Sequence, residues 1–322
     1  MPAIGIVALK SRPGHSTLVS PPMIDLHCHI LHGIDDGAAD VSVSLEMARA
    51  FVADGVSVVA CTPHILPGLY HNTGPQIRQA VAGLQHVLDE NGIALRLVLG
   101  ADNHIVPDFV GGLRSGHLLA LADSRYVLVE PPHHVAPQRM EDLFFSIQVA
   151  GFVPILTHPE RLSWLPNHYD TVRRLIANGV WMQITVDSLT GAFGRNPLYW
   201  STKMLDEGGV HILATDAHDT VKRPPRLSKG FEAAAKRVGE AEATHLVLTR
   251  PRAVLENLPP TALPAPPGRL EGTAGSEVRD VDASGNGRFG SAARKPARDT
   301  PAEGGDGGAL HGFAGRLRRL FN

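Results

Sequence analysis

The chain has 322 residues, 43% of them hydrophobic, enough to bury a sizeable core in one large domain or two small ones. Lys plus Arg number 30 against 32 Asp plus Glu, a net charge of −2, so there is no broad basic surface and no case for a nucleic-acid partner. Two cysteines, Cys28 and Cys61, argue against a disulfide framework and point to a reducing cytoplasm.

Residues 1–22 lack pattern, end in Pro21-Pro22 and read as an N-terminal extension, with Met23 an alternative start. Their apolar stretch, Ala3 to Leu9, is followed rather than preceded by basic residues, the wrong order for a secretory signal. No apolar run approaches the roughly 18 to 20 residues of a spanning helix, so a soluble cytoplasmic protein is expected. Met23 to Cys28 opens as a strand. Apolar runs with β-branched residues follow at 56–62, 94–100, 125–130, 153–157, 180–186 and 210–215. Segments of helical spacing lie between most of them. Ser44 to Asp54 sets Leu45, Ala48, Phe51 and Val52 on one face, and Pro75 to Glu90 sets Ile77, Val81, Leu84 and Leu88 on another. Gly55, Gly92, Gly151, Gly179 and Gly208-Gly209 stand where helices should stop.

This alternation predicts a parallel α/β sheet, and seven strands suit a distorted (βα)7 barrel better than a five-stranded doubly wound sheet. The domain so defined spans 23–258. Residues 259 to about 308 are rich in Pro, Gly, Ala, Asp and Arg and are expected to be disordered. Within the same 259–322 tail, Ala309 to Asn322 brings Leu310, Phe313, Leu317, Leu320 and Phe321 to near-helical spacing beside Arg316, Arg318 and Arg319. That is either a short basic amphipathic helix for a partner or a membrane surface, or a fraying tail.

The chemistry sits at the strand ends. His27 and His29 are an i, i+2 pair, and on a strand such a pair shares a face, so both imidazoles reach one ion while Cys28 points away. Strand 56–62 runs into His64, 94–100 into Asp102, and 125–129 into Glu130. Strand 153–157 ends at His158, and 210–215 ends in a second pair, Asp216 and His218. A barrel gathers its strand C-termini in one mouth. Eight ligands of imidazole and carboxylate, without thiolate, exceed what one ion needs and imply two or three divalent ions, with zinc, manganese and iron all suited. Such a cluster makes hydroxide near neutral pH and neutralises a phosphoryl group.

Arg161, three residues after His158, and Arg223, five after His218, hang over the same mouth, and guanidinium binds phosphate bidentately. Asp36, in Asp35-Asp36-Gly37, is a candidate metal ligand or general acid, or simply part of an Asp-Gly turn. A cysteine-nucleophile phosphatase needs Cys, five residues, then Arg; neither Cys28 nor Cys61 has that arginine.

These motifs resemble the PHP-domain (polymerase and histidinol phosphatase) superfamily, and within it the capsule and exopolysaccharide tyrosine-phosphatase branch. The segments that carry the resemblance are MIDLHCHILHGIDDG at 23–37, CTPH at 61–64, LVE at 128–130, THPER at 157–161, and ATDAHD with RPP at 214–225. It covers about 23 to 258. It implies a distorted seven-stranded barrel holding a divalent cluster, often manganese, with iron, cobalt or zinc as alternatives. It also implies a phosphotyrosine protein substrate, a bacterial tyrosine autokinase that controls polymer assembly. Metal ligands would be His27, His29, His64, Asp102, Glu130, His158, Asp216 and His218, with Asp36, Arg161 and Arg223 lining the phosphate site. The chain departs from the family at Asp102, where glutamate is usual, and at His32, where proline is usual. His32, His133 and His134 are expected at the rim. Two rival functions stay open: a small-molecule phosphomonoesterase of the same superfamily, and a metal-binding regulator without activity.

Overall fold

All the predicted strands form, and every strand pair is parallel. The structure is a computed structural model that describes residues 22–267; the expected features of 1–21 and of 268–322, the amphipathic segment included, lie outside the described residues. The strands are β1 (Met23–Cys28), β2 (Val56–Cys61), β3 (His64–Ile65), β4 (Arg96–Leu99), β5 (Asp102–His104), β6 (Tyr126–Glu130), β7 (Val153–Thr157), β8 (Trp181–Thr185) and β9 (Ile212–Ala214).

They make two sheets, β1-β2-β4 and β3-β5-β6-β7-β8-β9. β3 continues β2 after Thr62-Pro63, and β5 continues β4 after Gly100-Ala101, so each couple is one kinked stave and the nine segments make seven staves. The kinks have causes. Pro63 has no N–H to offer a ladder. A Cβ on Gly100 would crowd the methyl groups of Leu121 and Thr62, at 2.9 and 3.0 Å, so the bare glycine lets the chain pass close to them. The curled sheet closes at the strand C-termini, where the amide of Asp216 donates to the carbonyl of His27 and that of His29 to the carbonyl of Ala217, both at 2.9 Å. Just below, the Asp25 carboxylate accepts from the Thr215 amide and hydroxyl.

Strand alternation sorts the core into two apolar bodies. Val59, Cys61, Leu97, Val127, Val129, Leu156, Met182 and Leu213 face outward onto the helices, against Met47, Phe51, Leu84 and Phe144. The other parity, with Ile24, Leu26, Ala60, Val98, Tyr126, Leu128, Ile155, Trp181 and Ile212, fills the interior. Two residues beyond Leu128 on the same face comes Glu130; four beyond Ile212 comes Asp216. The barrel's apolar filling therefore ends upward in polar ligands. In the helix Val41–Ala53 the buried positions are Ser44, Met47, Ala48 and Phe51, whereas Val52 is exposed. The buried stripe is thus turned from the one predicted: Ser44 and Met47 join it, with the Ser44 hydroxyl donating to the carbonyl of Ile30 at 2.6 Å, and Asp40 caps the helix through the amides of Ser42 and Val43.

Beneath the barrel, the fully buried Arg250 pairs with Glu242 at 2.7 Å and donates to the carbonyl of Pro264 at 3.0 Å. Removing one partner of a buried pair strands the other charge. Glu242→Ala is expected to cost about 3 to 5 kcal/mol of unfolding free energy, read from the urea midpoint. A loss below about 1 kcal/mol would show that Arg250 is satisfied by backbone carbonyls alone.

Candidate active site

The mouth of the barrel brings together all eleven residues expected there. Four sets of side chains, each with one ligand atom per residue within 4.8 Å of the others, link most of them: His29, Asp36, His64 and His218; His27, His29 and Asp216; His27, Asp102 and His158; and Glu130, His133 and His158. His27, His29, Asp102, Glu130, His158, Asp216 and His218 are buried, and His64 and Asp36 are partly exposed.

The imidazoles are pre-oriented from behind. His27 Nδ1 lies 2.8 Å from Gln183 Oε1, His29 Nδ1 2.7 Å from Asp35 Oδ2, and His218 Nδ1 2.9 Å from the carbonyl of Asp216. An acceptor on Nδ1 fixes the tautomer and leaves Nε2 as the lone-pair nitrogen, the usual arrangement behind a metal-binding histidine. The Nε2 atoms of His27 and His29 lie 3.3 Å apart and face Asp216 Oδ1 at 3.4 and 3.3 Å. Asp35 is held by the Asp-Gly turn: it accepts from the amides of Gly37 and His64, and a Cβ on Gly37 would lie 2.1 Å from the His29 carbonyl oxygen. The turn and the catalytic reading of Asp35-Asp36-Gly37 are therefore compatible; the turn presses against His29. Backbone strain accumulates here too, with His158 at φ 29° and Asp216 at φ 52°, values that non-glycine residues seldom adopt.

Charge follows the same plan. Burial, aided by neighbouring cations, lowers the imidazoles of His27 and His218 to about 4 and holds that of His158 well below its usual range, so these rings stay neutral, as ligands must. Burial would raise Asp216, but Arg223, His27 and His29 outweigh it and hold the carboxyl well below the ordinary value. Asp102 behaves oppositely: burial, then the neighbouring Glu130, push it well up. Both Asp102 oxygens and Glu130 Oε2 are buried without a hydrogen-bond partner. A buried carboxylate without donors is costly. Oxygens of this kind, facing neutral imidazole nitrogens, fit hard divalent cations, and the donor set contains no thiolate.

At the rim, Arg161 reaches Asp216 Oδ2 at 2.6 Å, and Arg223 contacts the same oxygen and His218 Nε2, the latter at 2.9 Å. Both guanidinium groups lie over the ring of Phe193, at 5.0 and 5.8 Å from its centroid. Asp36 Oδ1 stands 3.5 Å from His64 Nε2 and 3.4 Å from His218 Nε2. Burial would raise Asp36, but its bond to His218 and the surrounding imidazoles hold it well below the carboxylate range. The two thiols take no part: Cys28 and Cys61 are buried, and burial pushes both well up.

Several contributors are not evident in the sequence. Phe193 comes from the loop after β8, and Gln183 meets His27 across 156 positions, so neither has a local signal. His133 lies 3.1 Å from Glu130 Oε1, closer to the carboxylates than a rim position. His104 had a signal: Asp102-Asn103-His104 repeats the i, i+2 grammar of the other pairs, but on a strand expected to end at Gly100.

A family model for capsular polysaccharide synthesis, CpsB/CapC, matches residues 23–256. The tyrosine-protein phosphatase YwqE of Bacillus subtilis (strain 168) is 33% identical over 235 residues, 73% of this chain and 92% of its own. The tyrosine-protein phosphatase CpsB of Streptococcus pneumoniae is 26% identical over 238 residues, 72% of this chain and 98% of its own. A crystal structure from work on these two proteins, presented as unique metal-dependent tyrosine phosphatases, matches with a TM-score of 0.71 at 32% identity, covering 74% of this chain and 96% of that one.

Proposed function

The chain belongs to the CpsB/CapC family of capsular polysaccharide synthesis, and from that membership and the site we propose that it is a metal-dependent protein-tyrosine phosphatase. The observation that carries the proposal is the convergence of Arg161 and Arg223 on one carboxylate oxygen above a buried basin of imidazoles and carboxylates. Guanidinium groups select phosphate, and the basin selects hard cations, read here as a cluster of two or three manganese ions, with iron, cobalt or zinc as substitutes. The residues that would hold them are His27, His29, His64, Asp102, Glu130, His158, Asp216 and His218. When bound, such ions supply hydroxide at neutral pH and offset phosphoryl charge.

The protein's own groups do the rest. Arg161 and Arg223 take the non-bridging phosphoryl oxygens and stabilise the charge that grows on them in the transition state. Phe193 holds the two guanidinium planes side by side and offers an aromatic wall near the phenyl ring of the substrate. Asp36, ionised between His64 and His218, supports a ligand role better than proton donation. A phenolate, with a conjugate acid near pKa 10, leaves with little help. The phosphotyrosine carrier is a protein, by resemblance a bacterial tyrosine autokinase governing polymer assembly, and the place of action is the cytoplasm. No helix among the described residues is long and apolar enough to cross a membrane.

The test sets a phosphotyrosine peptide beside a phosphoserine peptide and small phosphomonoesters such as histidinol phosphate. Activity should vanish with chelator, return with manganese, and be greatest on phosphotyrosine. Preference for the small ester would assign the protein to small-molecule hydrolysis. Metal-loaded protein without activity on any of them would leave a binding regulator.

A further inference from the structure

β5 is only three residues long, and its two ends point the same way, so His104 stands beside Asp102 over the basin. His104 is buried, and its Nε2 contacts Glu130 Oε2 and lies 3.3 Å from His64 Nδ1. His64 Nδ1 is in turn 3.2 Å from that same Oε2. Despite these two neighbours, Glu130 Oε2 has no hydrogen-bond partner. The two edges that meet at His64 Nδ1, 3.2 and 3.3 Å, match the separation of about 3 Å between ligand atoms bound at about 2.1 Å to one divalent ion, and the His104–Glu130 edge is closer still.

The ligand count points the same way. His64 faces two groups at once, with Nδ1 toward Glu130 and Asp102 and Nε2 toward Asp36. A neutral imidazole has one lone-pair nitrogen, so His64 serves only one of them. Asp102 Oδ2 stays 3.4 Å from His64, 3.6 Å from His27 and 4.0 Å from His158. With Nδ1 turned to Glu130, His64 leaves Asp36 to His218, whose Nε2 lies 3.4 Å away, and the strand that carries Asp102 brings a second imidazole to the Glu130 side.

We propose that His104 is an additional metal ligand, holding one ion of the cluster through Nε2 together with Glu130 and His64 Nδ1. The proposal rests on the metal-cluster function above. His104→Phe keeps a ring of similar volume without a nitrogen, and His104→Ala removes the ring. After equilibration with manganese and removal of free ion, both variants should carry about one ion fewer per chain than wild type by elemental analysis. Their melting temperatures should also rise less on manganese addition, because a lost site contributes no binding free energy to the folded state. If the Phe variant keeps the full complement, His104 is a packing residue at most and the proposal is overturned, whatever the Ala variant does. If wild type itself takes up no manganese, zinc, iron or cobalt, it is the metal-cluster function that fails.

Discussion

His29→Ala is expected to lower kcat/KM on a phosphotyrosine peptide by at least about a thousandfold, roughly 4 kcal/mol of transition-state stabilisation, and to lower bound manganese with it. His29 is central: its Nε2 faces both His27 and Asp216 at 3.3 Å, and its ring lies 4.0 and 4.6 Å from the rings of His218 and His64. Its other nitrogen is fixed by Asp35, so no neighbouring imidazole can turn into its place. Without an ion, Asp35 and Asp216 raise its imidazole well above the usual range, against the effect of burial, so an ion that binds at Nε2 takes the place of a proton. Removing it deletes a ligand and leaves two carboxylates less compensated. Elemental analysis and steady-state rates read the two effects, and far-ultraviolet circular dichroism checks the fold. Retained metal with retained rate would mean that the hydrolytic centre lies elsewhere.

Arg161→Ala and Arg223→Ala should each lower kcat/KM by about a hundred- to a thousandfold, the loss typical of one stabilising group on a developing charge, with bound metal unchanged. The arginines share one Asp216 oxygen and one Phe193 ring, so they act as a unit. The double variant should therefore fall short of the product of the two single effects. Lysine at either place keeps charge but not the planar fork, and should recover only part of the rate. Full activity in either alanine variant would remove that arginine from phosphate binding.

Much of this was legible in the sequence because β-branched runs and glycine stops mark strands and helix ends independently of tertiary context. Ligands placed at strand termini inherit that clarity: once Tyr126–Glu130 is a strand, Glu130 has to stand at its exit. Less legible was whatever depends on a kink or a distant partner. Thr62-Pro63 and Gly100-Ala101 look like ends, yet the staves resume as β3 and β5, and His104 rides on the second resumption. Val52 and Phe51 fit an apolar stripe equally well by spacing, and only packing, which covers the Ser44 edge of the helix, decides that Val52 is exposed. Asp25, Gln183 and Phe193 act across folds of the chain where no periodicity operates.

The seam where β1 meets the end of β9 carries a consequence for synthesis. His27 and His29 leave the ribosome early, but their strand mates Cys28 and Asp25 meet their partners across the seam, Ala217 and Thr215, only 189 and 190 residues later. The N-terminal strand cannot settle into its final edge until the last strand has been translated. A polypeptide cut short by premature termination or proteolysis before Ile212 keeps the first histidine pair and both the interior and the helix-facing apolar rows of the earlier strands. It lacks Asp216 and His218, and with them the oxygen that Arg161 grips. Such fragments should be inert, so hydrolysis of phosphotyrosine reports only on chains translated at least through His218.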